Sequence, residues 1–162
     1  MKIVFMGTPD FSIPSLKILL TGKHKILAVV TQPDKERGRG QKVLFTPVKE
    51  FAVENNIPIY QPETLKGNTE IINQMKELKA DLFVVVAFRI LPKEIFEIPK
   101  FGSFNLHGSY LPKYRGAAPI QWALINGETE TGLTTFKLAE KVDTGNIYLQ
   151  EEVEIYPEDN FE

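Results

Sequence analysis

Hydrophobic and polar positions follow two periods along this chain, and together they predict alternating strands and helices. Continuous apolar runs of strand length, typical of strands buried on both faces of a parallel sheet, cover residues 26–31 and 81–88. Elsewhere apolar residues return at helical spacing, as at Ile71, Met75 and Leu78. This alternation predicts an α/β fold with a Rossmann-like, doubly wound, mostly parallel sheet, mixed at its end, and with helices on both faces.

Capping and breaking residues mark the ends of the predicted helices. Ser12, with Pro14 two residues later, predicts the start of the first helix, and Gly22 predicts its end. Thr46 followed by proline, and then Asn68, predict the starts of the next two helices. These signals are local, so each is a prediction about one turn of chain.

Candidate chemistry lies in residues 103–120, read together with residues 142–145. Residues 103–107 alternate as a strand does, so Asn105 and His107 share one face. Polar side chains at the carboxyl end of a strand stand where α/β sheets bind ligands. Taken singly, these residues also have structural interpretations: a satisfied core histidine, a turn asparagine, and an Asx turn at Asp143-Thr144-Gly145.

The order of the motifs is more specific than any one of them. Asn-x-His is followed by Ser-x-Leu-Pro from residue 109, Arg-Gly-Ala-Ala-Pro-Ile from residue 115 and Asp-Thr-Gly from residue 143. This succession resembles the folate-dependent formyltransferases. Further matching segments, beginning with Gly7-Thr8-Pro9-Asp10-Phe11, extend the resemblance in order to about Tyr156. Tyr110 departs from the leucine usual in that motif, which alters the fine shape of the implied folate pocket.

The resemblance implies transfer of a formyl group from 10-formyltetrahydrofolate, the co-substrate, to a primary amine. The sequence is most similar to the members that formylate methionyl-initiator tRNA. Asn105 and protonated His107 would donate hydrogen bonds to the oxyanion that develops in the transition state. Asp143 would orient the His107 ring, favour its imidazolium form and take a proton from the amine.

A basic stretch indicates binding residues for tRNA, and the resemblance implies binding residues for folate. A loop-like stretch, residues 32–45, is polar and aperiodic; residues 31–49 hold five basic and two acidic residues, an excess of +3. Such a stretch is either a solvated loop or an RNA-contacting one. The candidate tRNA-binding residues are Arg37, Arg39 and Lys42. The implied folate-binding residues are Phe88, Arg89, Ile90, Leu91, Ser109, Tyr110, Leu111 and Pro112.

Length and composition restrict the classes of function. The 162 residues, 43% hydrophobic and 25% charged, are those of an ordinary globular domain, and the net charge of −2 does not favour RNA binding through bulk charge. The absence of cysteine excludes disulfides and thiolate chemistry, and the two histidines lack metal-ligand spacing. With no membrane-length apolar run and no signal-peptide pattern, the simplest interpretation is a cytoplasmic monomer without a metal.

Three alternatives bear on function. A nicotinamide or flavin site is disfavoured because the first turn offers only Gly7 in place of a Gly-x-Gly-x-x-Gly fingerprint. A formyltransferase acting on a sugar nucleotide or on glycinamide ribonucleotide stays open, as does a non-catalytic folate-binding module. We expect a catalytic domain over residues 1–156 and, in residues 157–162, the start of a linker to an absent C-terminal domain that would help to hold tRNA.

Overall fold

A computed structural model of the chain describes residues 1–37 and 42–161. By their internal contacts the residues form two compact units, Met1–Ser103 and Phe104–Glu162. Among the described residues, no helix is long and apolar enough to cross a membrane. The predicted domain bounds at residues 156 and 157 stay a prediction.

The first unit contains a parallel sheet whose strand order is β5-β2-β1-β6. Its strands are β1 (Lys2–Gly7), β2 (Lys25–Val30), β5 (Ile59–Tyr60) and β6 (Leu82–Val86). Its helices are α1 (Ile13–Thr21), α2 (Pro47–Glu54), α3 (Thr69–Glu77) and α4 (Lys93–Phe96). The chain runs outward from β1 through β2 to β5 and then returns to β6 beside β1. Because parallel crossovers are right-handed, α1 and α2 cover one face and α3 the other, which confirms the predicted doubly wound fold.

The core of the first unit is formed by the apolar runs that predicted its strands. Phe5 on β1 and Phe83 on β6 are both fully buried, as are Val29 on β2 and Met75 on α3. Each such side chain contributes about 1.5–3 kcal/mol on burial, so these strands supply much of the stabilisation of the sheet. The carboxyl ends of β1 and β6 lie at the point where the strand order reverses, which is where such sheets bind ligands.

All three predicted helix starts are confirmed, but only two of the three N-cap residues form a capping hydrogen bond. The Thr46 hydroxyl accepts a hydrogen bond from the Lys49 amide at 3.1 Å, and the Asn68 side chain accepts one from the Ile71 amide at 3.2 Å. Ser12 makes no capping bond; its buried hydroxyl donates to the Val86 carbonyl at 2.8 Å. A 3-10 turn already leads into α1, so this hydroxyl instead satisfies a carbonyl at the end of β6.

The predicted loop over residues 32–45 is in part a hairpin. Two short antiparallel strands, β3 (Lys35–Arg37) and β4 (Lys42–Leu44), pair with Arg37 opposite Lys42. The expectation of an irregular stretch is therefore wrong for these residues. The ladder between β3 and β4 has only three residue pairs, which is too short for a strand period to show along the chain.

The second unit is antiparallel, as the mixed end of the prediction requires. Its elements are β7 (Ser103–His107), α5 (Pro119–Ile125), β8 (Glu130–Lys137) and β9 (Ile147–Glu154). Strand β8 pairs antiparallel with β7 on one side and with β9 on the other. Thr134 and Phe136 of β8 are fully buried, whereas Trp122 of α5 is 52% exposed and belongs to the helix surface.

Candidate active site

The candidate site begins at the carboxyl end of β7. In the ladder Asn105 lies opposite Phe136, and His107 lies opposite Thr134. His107 is buried and Asn105 is half-buried. The strand alternation places both side chains on the same face, about 7 Å apart along the strand. The role of Asn105 as a hydrogen-bond donor stays a prediction.

The structure brings Asp143 to the imidazole of His107. The Asp143 Oδ2 atom lies 3.8 Å from His107 Nδ1, and the two side chains are 9% and 7% exposed. This separation is too long for a direct hydrogen bond, and it places the carboxylate beside Nδ1 at a position shielded from water. The carboxylate is held by the Gly116 amide, which donates to Oδ2 at 2.7 Å. Arg115 Nε donates to the Asp143 carbonyl at 3.0 Å, so both ends of the aspartate are anchored.

The other imidazole nitrogen identifies the tautomer. His107 Nε2 lies 2.8 Å from the carbonyl oxygen of Tyr114. A carbonyl can only accept, so Nε2 carries a proton and donates it. The Phe136 ring contacts the imidazole edge-on, with ring centroids 6.4 Å apart. Nδ1 is therefore the nitrogen that can gain or lose a proton, and it is the one that faces Asp143.

Three of the described non-glycine residues in the second unit have left-handed backbone, and Asp143 of this pair is one of them. Tyr114, Ala118 and Asp143 have φ values of 55°, 57° and 52°. Such conformations cost about 1–3 kcal/mol each and cluster at functional sites. Here the hydrogen bonds from Gly116 and Arg115 to Asp143 restrain the backbone that would otherwise relax.

The loop after β7 contains four of the predicted folate residues. Ser109 and Leu111 are buried, whereas Tyr110 and Pro112 are exposed. The Ser109 hydroxyl donates to the Lys113 carbonyl at 2.6 Å, so it is already used within the loop. Of these four side chains, Tyr110 and Pro112 present the most surface for a ligand.

Two further residues, Thr134 and Gln150, hold this loop in place. The Thr134 hydroxyl donates to the Ser109 carbonyl at 2.7 Å and accepts from the Leu111 amide at 3.1 Å. Gln150 Nε2 donates to the Leu111 carbonyl at 2.9 Å. Sequence reasoning missed both residues. For Thr134 the available signal was an inward-facing polar residue in an alternating strand; for Gln150 we find none.

The other four predicted folate residues follow β6 in the first unit. Arg89 donates to the Pro62 and Glu63 carbonyls, each at 2.7 Å, and so ties this turn to a neighbouring loop. Burial lowers the pKa of the Arg89 guanidinium, and the Glu63 carboxylate opposes this shift. Ile90 is 77% exposed, whereas Leu91 is buried. This turn also leads into α4, so it serves as an ordinary strand-to-helix connection as well.

A cluster of polar side chains holds the base of the basic hairpin. Asp34 pairs with Lys49, and Gln61 Nε2 donates to Asp34 Oδ1 at 2.8 Å. Burial raises the pKa of Asp34, but the hydrogen bonds from Lys49 and Gln61 outweigh it, and the net shift is downward. The carboxylate therefore stays ionised at neutral pH and anchors the segment that leads into β3.

The predicted tRNA-binding residues lie at and beyond the ends of the described strands. Arg37 ends β3 and Lys42 begins β4, and the two are paired across the ladder. Arg39 lies outside the described residues. No set of three or more His, Asp or Glu side chains within residues 1–37 and 42–161 is arranged to hold a metal ion.

Comparison with known proteins links this geometry to one family. A sequence profile described as Formyl transferase matches residues 1–162. The chain is 57% identical to a methionyl-tRNA formyltransferase of Clostridium acetobutylicum over 96% of this chain and 50% of that protein. It is 52% identical to the protein of the same name from Caldanaerobacter subterraneus over 99% of this chain and 52% of that protein. The chain thus spans about half the length of these curated relatives.

Solved structures show the same fold. Phosphoribosylglycinamide formyltransferase from Bacillus halodurans has a TM-score of 0.79 and 21% identity, covering 99% of this chain and 83% of that one. A sugar 3N-formyl transferase, WlaRD, solved in the presence of dTDP and 5-N-formyl-THF, has a TM-score of 0.64 and 28% identity, covering 96% of this chain and 52% of that one. These likenesses agree with the α/β fold described above.

Proposed function

The chain belongs to the formyl transferase family, and on this premise we propose that it transfers a formyl group from 10-formyltetrahydrofolate to methionyl-initiator tRNA. The acceptor is the free amino group of the methionine. The relatives named methionyl-tRNA formyltransferase share 50–57% identity with nearly the whole chain. The observation that carries the chemistry is the buried His107–Asp143 pair, with its nitrogen and oxygen 3.8 Å apart.

The proposed reaction is direct transfer between an amine and a formyl group. The amine attacks the formyl carbon, and negative charge collects on the formyl oxygen until the folate nitrogen leaves. A proton on His107 Nδ1 and the Asn105 amide are the proposed donors to that oxygen. Asp143 is the proposed acceptor of the proton that the attacking amine loses, directly or through water, and this proton passes to the folate nitrogen as it leaves. Neither Nδ1 nor Oδ2 uses the other as a direct partner at 3.8 Å, so each can bind a reacting group.

The residues proposed to contact folate belong to two separate segments of the chain. In the first unit the segment is residues 88–91, where Ile90 exposes an apolar side chain and Arg89 holds the turn through main-chain carbonyls. In the second unit it is residues 109–112, where Tyr110 and Pro112 are exposed. Apolar and aromatic side chains of this kind suit a flat, partly apolar ring system.

The acceptor RNA is proposed to contact the basic hairpin. Arg37 ends β3 and Lys42 begins β4, and Arg39 lies between them in the sequence. Lys and Arg side chains neutralise phosphates and release counterions, which makes binding salt-dependent. The Asp34–Lys49–Gln61 cluster supports this proposal because it holds the base of the hairpin against α2 and β5.

Replacing Arg37, Arg39 and Lys42 by glutamine is expected to weaken tRNA binding. Three lost phosphate contacts should reduce the slope of log K against log salt by about 2–3. The measurement is a tRNA titration at several salt concentrations, with folate affinity as an internal control. The matched control neutralises three exposed lysines of the same unit: Lys17, Lys66 and Lys76. Equal salt slopes for the two triple variants would show that the hairpin is solvated surface and does not contact tRNA.

A comparison of acceptors tests the proposed function. We expect the chain to bind a folate analogue in isothermal titration and to formylate methionyl-tRNA in preference to glycinamide ribonucleotide or a dTDP-amino sugar. Preference for a small amine would support the alternative formyltransferase, and folate binding without any transfer would support a non-catalytic binding module. Failure to bind folate would contradict the proposal.

A further inference from the structure

We infer that Tyr114 is a positioning residue that sets the tautomer and orientation of His107 through its own main-chain carbonyl. The bond to the imidazole comes from the main chain of Tyr114, and the Tyr114 hydroxyl is anchored at the end of α5. The catalytic consequence rests on the proposed function, whereas the structural consequence does not.

The hydrogen bond between His107 and Tyr114 is the first step. His107 Nε2 donates to the Tyr114 oxygen at 2.8 Å. This bond selects one of two neutral tautomers and directs Nδ1 toward Asp143. If the carbonyl turned away, the ring could rotate or exchange tautomers, and Nδ1 would no longer be the nitrogen presented to Asp143.

The backbone of Tyr114 is the second step. Its φ is 55°, in the left-handed region that an aromatic residue rarely adopts. Gly116, two residues on, has a φ of 92° but carries no Cβ. Strained backbone at a non-glycine residue persists only when its surroundings hold it. Without support, the backbone of Tyr114 would therefore relax, and its carbonyl would no longer point at His107.

The phenol supplies that support. Tyr114 Oη donates to Glu128 Oε1 at 2.7 Å and accepts from Asn126 Nδ2 at 3.0 Å. Lys113 Nζ pairs with the second oxygen of Glu128 at 3.2 Å. The hydrogen bond from Tyr114, aided by that from Lys113, lowers the pKa of Glu128, so this carboxylate is an acceptor at neutral pH. Both the ring and the main chain of Tyr114 are thereby fixed.

The same short loop fixes both members of the catalytic pair. The Tyr114 carbonyl orients His107, and the Gly116 amide orients Asp143 at 2.7 Å. Because Glu128 and Asn126 act on the loop from the end of α5, a change there should reach His107 without touching it. This gives a test in which the substituted atoms are remote from the reacting groups.

The test reads the tautomer by nitrogen NMR. The chain has two histidines, so a comparison with His24→Gln assigns the His107 imidazole in uniformly ¹⁵N-labelled protein. At alkaline pH we expect a single neutral form with the proton on Nε2. Tyr114→Phe and Glu128→Ala should each give mixed tautomers, whereas Glu128→Gln, which keeps an acceptor oxygen, should match the wild type.

The result that overturns the inference is an unchanged imidazole pattern in both Tyr114→Phe and Glu128→Ala. If the hydrogen bonds of the Tyr114 hydroxyl only stabilised the fold, both substitutions would lower the free energy of unfolding and leave the imidazole resonances unchanged. If Tyr114→Phe fails to fold, Asn126→Ala replaces it, since it removes one of the two phenol contacts. The NMR measurement needs no formyl acceptor, so its failure is independent of the proposed function. Where formyl transfer is observed, Tyr114→Phe should lower kcat about tenfold and leave the KM for folate unchanged.

Discussion

Replacing His107 by alanine is expected to slow formyl transfer by about 100-fold or more, as the loss of a general acid–base or oxyanion group does. Asp143→Asn should have a similar effect. It keeps an acceptor oxygen for the Gly116 amide but removes the charge that lies 3.8 Å from Nδ1. The measurement is a single-turnover rate at saturating 10-formyltetrahydrofolate and methionyl-tRNA. Folate binding by calorimetry reports whether the effect is on chemistry or on binding.

His24→Ala is the matched control for this pair of variants. It removes the other histidine, which lies in the turn between α1 and β2 in the first unit. Its rate should stay within about twofold of the wild-type rate. A rate for Asp143→Asn close to that of this control would show that the carboxylate has no role in proton transfer. Equilibrium unfolding of each variant separates lost chemistry from lost structure.

Gly145→Ala is expected to lower the free energy of unfolding more than the other substitutions described above and below. A Cβ at this position would overlap the carbonyl carbon and oxygen of Lys137, which are backbone atoms of β8 and cannot rotate away. We expect the free energy of unfolding to fall by about 3 kcal/mol or more, because the backbone must shift. The same shift would move Asp143, two residues earlier, away from His107 and lower the rate of formyl transfer.

Gly67→Ala provides the comparison for this variant. Gly67 has a φ of +68°, but among the described residues, its chain neighbours aside, no atom lies within 4 Å of its added Cβ. Only the left-handed strain of alanine applies there, about 1–2 kcal/mol. Urea unfolding of both variants gives the two losses directly. Equal losses would show that the β8 backbone yields to the added methyl group.

Local sequence signals were sufficient for most of the elements. The apolar runs at residues 26–31 and 81–88 became β2 and β6, and the caps at Thr46 and Asn68 hold α2 and α3. Each depends on residues a few positions apart, so the sequence contains the whole signal. Ser12 shows the limit, because its hydroxyl partner is Val86, 74 residues away. Ser12 is of a type that caps helices, but its hydroxyl donates to a carbonyl that is distant in the sequence.

For the candidate site, too, the sequence predicted some features and did not indicate others. The alternation along β7 alone predicted that Asn105 and His107 share a face, and the motif order that resembles a known family pointed to Asp143. Neither indicated that His107 Nε2 donates to the Tyr114 carbonyl, or that the buried Thr134 hydroxyl holds the loop at Ser109. Those bonds join positions whose proximity depends on a left-handed turn and a strand register.

By itself, then, the sequence determined the α/β fold, the face that Asn105 and His107 share, and the residue types available for formyl transfer. These follow from periodicity and short-range chemistry, which act between neighbours along the chain. The tertiary structure alone decided which nitrogen of His107 holds a proton and which faces Asp143 at 3.8 Å. That choice depends on the direction of a single carbonyl at Tyr114, which is set by backbone strain and by hydrogen bonds from the end of α5. Packing creates such directions, and no pattern of residue types encodes them.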